Sequence, residues 1–153
     1  MAAGGTESPV RLAAETWESL FRAQVAVMRK LQSAPAFRRL AVNEYDVLFT
    51  LSRCPSGWLR LNELNDNVLL SQSSLSRLVE RLEKRGLVAR MPAPEDGRGI
   101  LLKLTDEGRE LQKEIGREHV RDISAVVGPA LTPAEQKELR RLADKLRNSL
   151  GKR

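Results

Sequence analysis

The sixteen-residue run Ser71-Gln72-Ser73-Ser74-Leu75-Ser76-Arg77-Leu78-Val79-Glu80-Arg81-Leu82-Glu83-Lys84-Arg85-Gly86 restricts the fold more than any other part of the chain. Ser71 suits a helix N-cap, because its hydroxyl can accept from an orphan backbone N–H two or three residues on. Gly86 suits the stop, because glycine enters the left-handed conformation cheaply. Between them Leu75, Leu78, Val79 and Leu82 recur at helical spacing and define one buried face. The first turn has a different character. Gln72, Ser73, Ser74 and Ser76 are short or polar, and Arg77 and Arg81 follow one turn apart. Short hydroxyls, a helix N-terminus and spaced guanidinium groups suit close approach to base edges and phosphates.

After Gly86 the period shortens. Leu87-Val88-Ala89-Arg90-Met91 and Ile100-Leu101-Leu102-Lys103-Leu104 are short apolar runs suited to strands, and they flank the charged, turn-rich segment Pro92 to Gly99. The pattern Asp96-x-Arg98, five residues, then Leu104-Thr105 resembles the wing signature of the MarR family of bacterial transcription regulators. The stretch from Ser73 to Val88 is similar to that family's recognition helix, and the resemblance extends over nearly the whole chain. Two positions depart from the family's usual pattern: Leu69 stands where the turn commonly carries Gly, and Asn65 where Ala is common.

The resemblance implies a mainly α fold with a small β-wing: a six-helix, winged helix-turn-helix subunit whose N- and C-terminal helices form a dimer. On this reading residues 1–8 are a flexible tail, 9–33 and 105–153 are dimerisation helices, and 43–104 are the winged helix-turn-helix, all within one integrated domain.

Size and composition fit that expectation. At 153 residues the chain is one domain or one domain plus an extension, and with aromatics at 4% its core must be built from Leu, Val, Ile and Ala. The net charge of +6 favours polyanionic partners without specifying a fold. No run reaches membrane-spanning length and the first eight residues lack the regions of a signal peptide, so a cytoplasmic protein without a membrane partner is expected. A single cysteine, Cys54, and a single histidine, His119, make neither an intrachain disulfide nor a metal cluster. No nucleophile–base pair or phosphate loop is visible, so neither an enzyme nor a cofactor is expected.

Elsewhere the chain reads as helices. Pro9 to about Ser33 carries Trp17, Leu20, Phe21, Val25, Met28 and Leu31 every three or four residues. The plainer expectation is that this stripe packs in the chain's own core; the other is that part of it packs on a partner subunit. Asn43-Glu44 opens a second helix to about Arg53, with Tyr45, Val47, Leu48 and Leu51 inward. Trp58-Leu59-Arg60 suits a third short strand, Leu61 to about Asn67 a helix, and Val68-Leu69-Leu70 a turn. Thr105 caps a helix to about Val127, with Leu111, Ile115, Ile123 and Val126 inward. Thr132-Pro133-Ala134-Glu135 is a capping box opening the last helix, which carries Leu139, Leu142, Leu146 and Leu150. The terminal stripes have little globular chain left to cover them, and a two-fold homodimer would bury them.

A two-fold dimer presents two recognition helices to successive major grooves, so the expected partner is double-stranded DNA carrying an inverted-repeat operator. Gln72, Ser73, Ser74 and Ser76 then face base edges and phosphates, Arg77 meets base or backbone, and Arg81 the backbone. By resemblance Arg98 enters the adjacent minor groove with Asp96 holding it. Glu80 and Glu83 alternate with Arg81, Lys84 and Arg85, which also reads as a solvated face.

The family default is repression, relieved by a small aromatic or phenolic effector bound between the dimer helices and the DNA-binding lobe. The candidate lining is Trp17, Phe21, Tyr45, Asp46 and Arg77, although Trp and Tyr at helical spacing are more often core. A redox-responsive regulator acting through Cys54 is an alternative, set against an inert thiol. A non-sensing architectural DNA binder is another, and it would show little sequence preference. For His119 a packing or dimer-contact role is expected ahead of a pH or metal site.

Overall fold

The computed structural model describes residues 8–66, 68, 70–94 and 99–151. In order, the elements are α1 (Pro9–Gln32), a 3-10 turn (Pro35–Arg38), α2 (Val42–Ser52), β1 (Leu59–Arg60), α3 (Leu61–Asn65), α4 (Gln72–Lys84), β2 (Val88–Pro92), β3 (Ile100–Leu104), α5 (Asp106–Val127) and α6 (Pro133–Ser149). The strands form one antiparallel sheet in the order β1-β3-β2, with Leu59 opposite Leu102 and Arg90 opposite Leu102 on the other side. This is the expected winged helix-turn-helix, with helix ends within a residue or two of their sequence signals. Asn67, Leu69, Glu95, Asp96, Gly97 and Arg98 lie outside the described residues, as do residues 1–7 of the expected tail.

α4 forms as its sequence dictates. The Ser71 hydroxyl accepts from the Ser74 N–H at 3.2 Å, which satisfies one orphan donor of the first turn. At the other end Gly86 takes φ +72°, a conformation strained for any residue with a Cβ. The Gly86 N–H then donates to Glu83 and the Leu87 N–H to Leu82, the paired bonds of a Schellman stop. Leu87 and Leu82 are both buried beneath it.

The stop is tied to the start of α5. The Thr105 hydroxyl donates to the Gly86 carbonyl at 2.6 Å and accepts from the Gly108 N–H at 3.0 Å. The Thr105 N–H donates to the Leu87 carbonyl. Gly108 lies so close beneath that a Cβ there would sit 2.0 Å from the Leu87 carbonyl oxygen. One threonine and one glycine thus set where α4 ends, where the strand β2 begins and where α5 departs.

The core is confined to the middle of the chain. Leu40, Val47, Leu48, Leu51, Leu64, Leu75, Val79, Leu82, Val88, Leu102 and Ile115 are its most enclosed side chains, from α2 and the segment before it, α3, α4, the sheet and the first half of α5. The expectation that the α1 stripe packs in this core is overturned. Trp17 is 62% and Phe21 51% exposed, and only Leu31 in the last turn is buried. The reason is geometric: only the C-terminal turns of α1 reach the rest of the chain, where Val25 and Met28 are half-buried. Ile123, expected inward, is also exposed, while Ile115 is fully enclosed and Leu111 and Val126 are half-buried. On α6, Leu139, Leu142 and Leu146 are exposed, as is Leu150 at its C-cap.

α5 docks on the lobe through rings and charges. The His119 ring meets Phe37 edge-on at 4.9 Å and Tyr45 edge-on at 5.4 Å. Arg39 donates to Glu114 at 3.0 Å and to Glu118 at 3.1 Å. His119 is therefore a packing residue, as expected of a lone histidine, with its Nδ1 buried and unpartnered among the described residues. Burial raises the Asp46 carboxyl above its ordinary value of 3.8, and the nearby His119 pulls it the other way.

Two outcomes follow from this packing. Gly108→Ala should destabilise the fold by about 1–3 kcal/mol in urea denaturation, because the obstacle is backbone and cannot rotate aside. Asp46 titrates with a raised folded value, so its contribution to stability is complete below pH 3.8 and is lost as the pH climbs through the folded value. Asp46→Asn removes that loss, so the stability of the variant relative to the unsubstituted chain should grow with pH in thermal melts from roughly pH 3 to 7.

Candidate nucleic-acid interface

The exposed side of α4 is set by its buried side. Leu75, Leu78, Val79 and Leu82 face the core, which leaves Gln72, Ser73, Ser74, Arg77, Arg81 and Lys84 on the outer surface. Ser76 is half-buried on the flank, and is less available than its neighbours to a ligand in front of the helix. The serines share a hydroxyl network: Ser71 Oγ donates to Ser74 Oγ at 2.8 Å and lies 3.3 Å from Ser73 Oγ. Ser74 therefore serves the helix start as well as the surface, which is what an ordinary capping role also predicts.

The basic residues of the unit have different fates. Arg77, one turn into the helix, is exposed and has no ion-pair partner among the described residues. Arg81 lies 3.8 Å from Glu44 of α2. Arg85 is bound more firmly, with one nitrogen 3.1 Å from Glu44 and the other donating to the Arg39 carbonyl at 2.8 Å. Arg90 pairs with Glu83, and Lys103 sits 5.6 Å over the Trp58 ring. Arg85 remains exposed, as the solvated-face reading expects, but a carboxylate and a carbonyl engage it as well. Glu44 has no local sequence signal for this role, because its partner lies 41 residues away. Gly108 was also missed, although a glycine in the first turn of a helix is a signal in itself. The wing residues Asp96 and Arg98 are outside the described residues.

The five candidate effector residues do not converge within one chain. Trp17 and Phe21 pair with each other at 5.9 Å on the exposed part of α1. Tyr45 is buried, its ring against Phe37, His119 and Phe49. Asp46 is half-buried beside His119, and Arg77 lies on the outer face of α4. A hollow of about 270 Å³ opens between the end of α1 and the start of α2, lined by Gln32, Phe37, Ala41, Val42 and Asn43. Cys54 is half-buried, its thiol donating to the Trp58 carbonyl at 3.2 Å and lying 3.3 Å from the Ser56 hydroxyl. Asn65, the departure noted in α3, carries a buried Oδ1 with no partner among the described residues. No group of three His, Cys, Asp or Glu that could hold a metal occurs among the described residues, and none of their helices is long and apolar enough to cross a membrane.

Comparison with known proteins gives this geometry a context. The MarR family model matches residues 40–99, the segment that holds most of the core, all of α4 and the base of the wing. The HTH-type transcriptional regulator PecS of Dickeya dadantii is 28% identical over 133 residues, covering 86% of this chain and 80% of that one. Among solved structures, Sco3205, a MarR family transcriptional regulator from Streptomyces coelicolor in complex with DNA, is 29% identical with a TM-score of 0.78, covering 97% of this chain and 93% of that one. BpsR of Bordetella bronchiseptica, whose DNA binding is regulated by 6-hydroxynicotinic acid, is 25% identical with a TM-score of 0.70, covering 90% and 99%. All three are regulators rather than enzymes. With the family's model matched across the helix-turn-helix and the fold shared nearly end to end with its solved members, the chain belongs to the MarR family of transcriptional regulators.

Proposed function

We propose that this regulator binds an inverted-repeat DNA operator as a homodimer, represses the adjoining gene and is released by a small aromatic acid. The observation that carries the DNA-binding reading is the outer face of α4. A capped, serine-bordered N-terminus with an exposed Arg77 one turn behind it stands opposite a fully buried leucine face. The first turn of α4 enters the major groove, where Gln72, Ser73 and Arg77 read base edges and phosphates; Ser74 and Ser76 border the contact and Arg81 meets the backbone. The wing follows into the adjacent minor groove through Arg98, held by Asp96. The chain's resemblance to a DNA-bound regulator over 97% of its length supports this pose.

The homodimer is supported by the exposed large apolar side chains, which among the described residues fall on α1, the second half of α5, and α6 with its cap Leu150, apart from Phe49 of α2. A hollow of about 420 Å³ lies where α5 and α6 meet, lined by Val127, Leu131 and Leu139 but also by Gln136, Lys137 and Arg140. So much exposed apolar surface is a feature of association sites. In this reading 9–33 and 105–153 are the dimerisation segments, around a DNA-binding region at 43–104. Dimerisation also answers why the candidate effector residues are scattered: Trp17 and Phe21 of α1 reach a pocket only when a partner closes over them. The regulation of BpsR by 6-hydroxynicotinic acid supports the chemical class of the effector.

Selection of bound duplexes from a random pool should return an inverted repeat whose half-sites lie about 34 Å apart; a pool with no enriched sequence would instead mark a non-specific architectural binder. On that repeat, Arg98→Ala should weaken binding and lower the salt slope by about one unit without unfolding the chain. Leu142→Asp should convert the sedimenting species to monomer and abolish cooperative operator binding, while calorimetric titration with hydroxylated aromatic acids should give heat only with the dimer.

A further inference from the structure

We propose that Arg85 is a positioning residue for DNA recognition: it clamps the C-terminal end of α4 to Glu44 and to the Arg39 backbone, and so sets the angle at which the helix meets DNA. This rests on the DNA-binding reading above and adds a residue that the contact face itself does not contain.

Both terminal nitrogens of the Arg85 guanidinium bond to protein, although the side chain is 43% exposed. Nη1 donates to Glu44 Oε2 at 3.1 Å and Nη2 donates to the Arg39 carbonyl at 2.8 Å. Glu44 is well enclosed, with its side chain 14% exposed, and its other oxygen faces Arg81 at 3.8 Å. Arg39 in turn grips Glu114 and Glu118 of α5. A continuous polar chain therefore runs from the end of α4, through the start of α2 and residue 39, to α5. Charge-assisted bonds of this kind are directional, so they add a second restraint on the helix angle to the one at the Gly86–Thr105 junction.

The lever arm explains why an anchor so far from the contact face matters. α4 has 13 residues, so its first turn lies about 18 Å from the clamp, and a 10° swing there moves the serines by about 3 Å. Base readout tolerates only about 0.5 Å. Lysine carries the same charge as arginine but lacks the planar fork, and cannot hold a carboxylate and a carbonyl at once in this geometry. Charge and clamp can therefore be separated by substitution.

The test is a binding titration of the full chain against two labelled duplexes of equal length, one carrying the selected inverted repeat and one scrambled, over a range of salt. Arg85→Lys and Glu44→Gln are each expected to lose about 2- to 30-fold in affinity for the repeat, with unchanged affinity for the scrambled duplex and an unchanged salt slope. The double variant is expected to lose no more than either single one, because both remove the same clamp. Arg85→Lys at full affinity, with Arg85→Ala losing about one unit of salt slope on both duplexes, would make Arg85 a phosphate contact and overturn the proposal. Equal losses on both duplexes with a lowered unfolding temperature would reduce the clamp to a stabilising one and also overturn it, as would tighter binding by Glu44→Gln. If the unsubstituted chain does not distinguish the two duplexes, the sequence-specific operator reading itself fails.

Discussion

The junction of Gly86, Leu87, Thr105 and Gly108 is the constraint from which the rest of the geometry follows. It joins three elements within a few ångströms: the left-handed stop of α4, the first residue leading into the wing and the first turn of α5. Each bond there performs two tasks. The Thr105 hydroxyl caps α5 and also satisfies the last exposed carbonyl of the recognition-helix stop. Gly108 is the only residue type that lets the two backbones approach so closely. Because this contact is between main chains, it fixes directions rather than depths. The long helix that leaves the lobe and the helix that faces outward from it are held at one angle.

Burial divides the molecule along the same line. The lobe between Ala36 and Ile115 encloses its apolar residues in one cluster. Beyond it, α1 contributes Leu31 and α6 has no buried residue. Both helices open on a proline, α6 has a capping box and α1 has i,i+4 ion pairs such as Arg22 with Glu18, so they hold their shape without a core of their own. Such pairs are exposed and contribute little to stability, so the energetic reason for these helices lies in the apolar stripes they present. A chain arranged in this way has its fold complete in the centre and its surface incomplete at both ends.

Arginine shows how one residue type is put to different uses on a single helix. Arg77 is presented outward, Arg81 is within reach of a carboxylate, and Arg85 is locked between two elements. Spacing along the helix does not distinguish them. What does is whether Glu44, brought in by the packing of α2 against the sheet and α5, stands opposite. In the same way Tyr45 and Asp46 are neighbours in the sequence, yet one is enclosed by rings and the other is half-buried beside His119.

The sequence by itself determined the local elements: the caps at Ser71, Thr105 and Thr132, the glycine stop at Gly86, the strand runs on either side of the wing and the leucine face of α4. These are legible because a cap or a period depends on residues within one or two turns of each other. Which apolar stripe is enclosed was settled only by the tertiary structure. The α1 rings and the α4 leucines carry the same signal in the sequence, but only the second set meets a facing element. The clamp of Arg85 on Glu44 and Arg39, and the contact of Gly108 with Leu87, were likewise decided by segments distant along the chain. Ion pairs and close backbone approaches are properties of two elements, and the sequence of one element does not contain the position of the other.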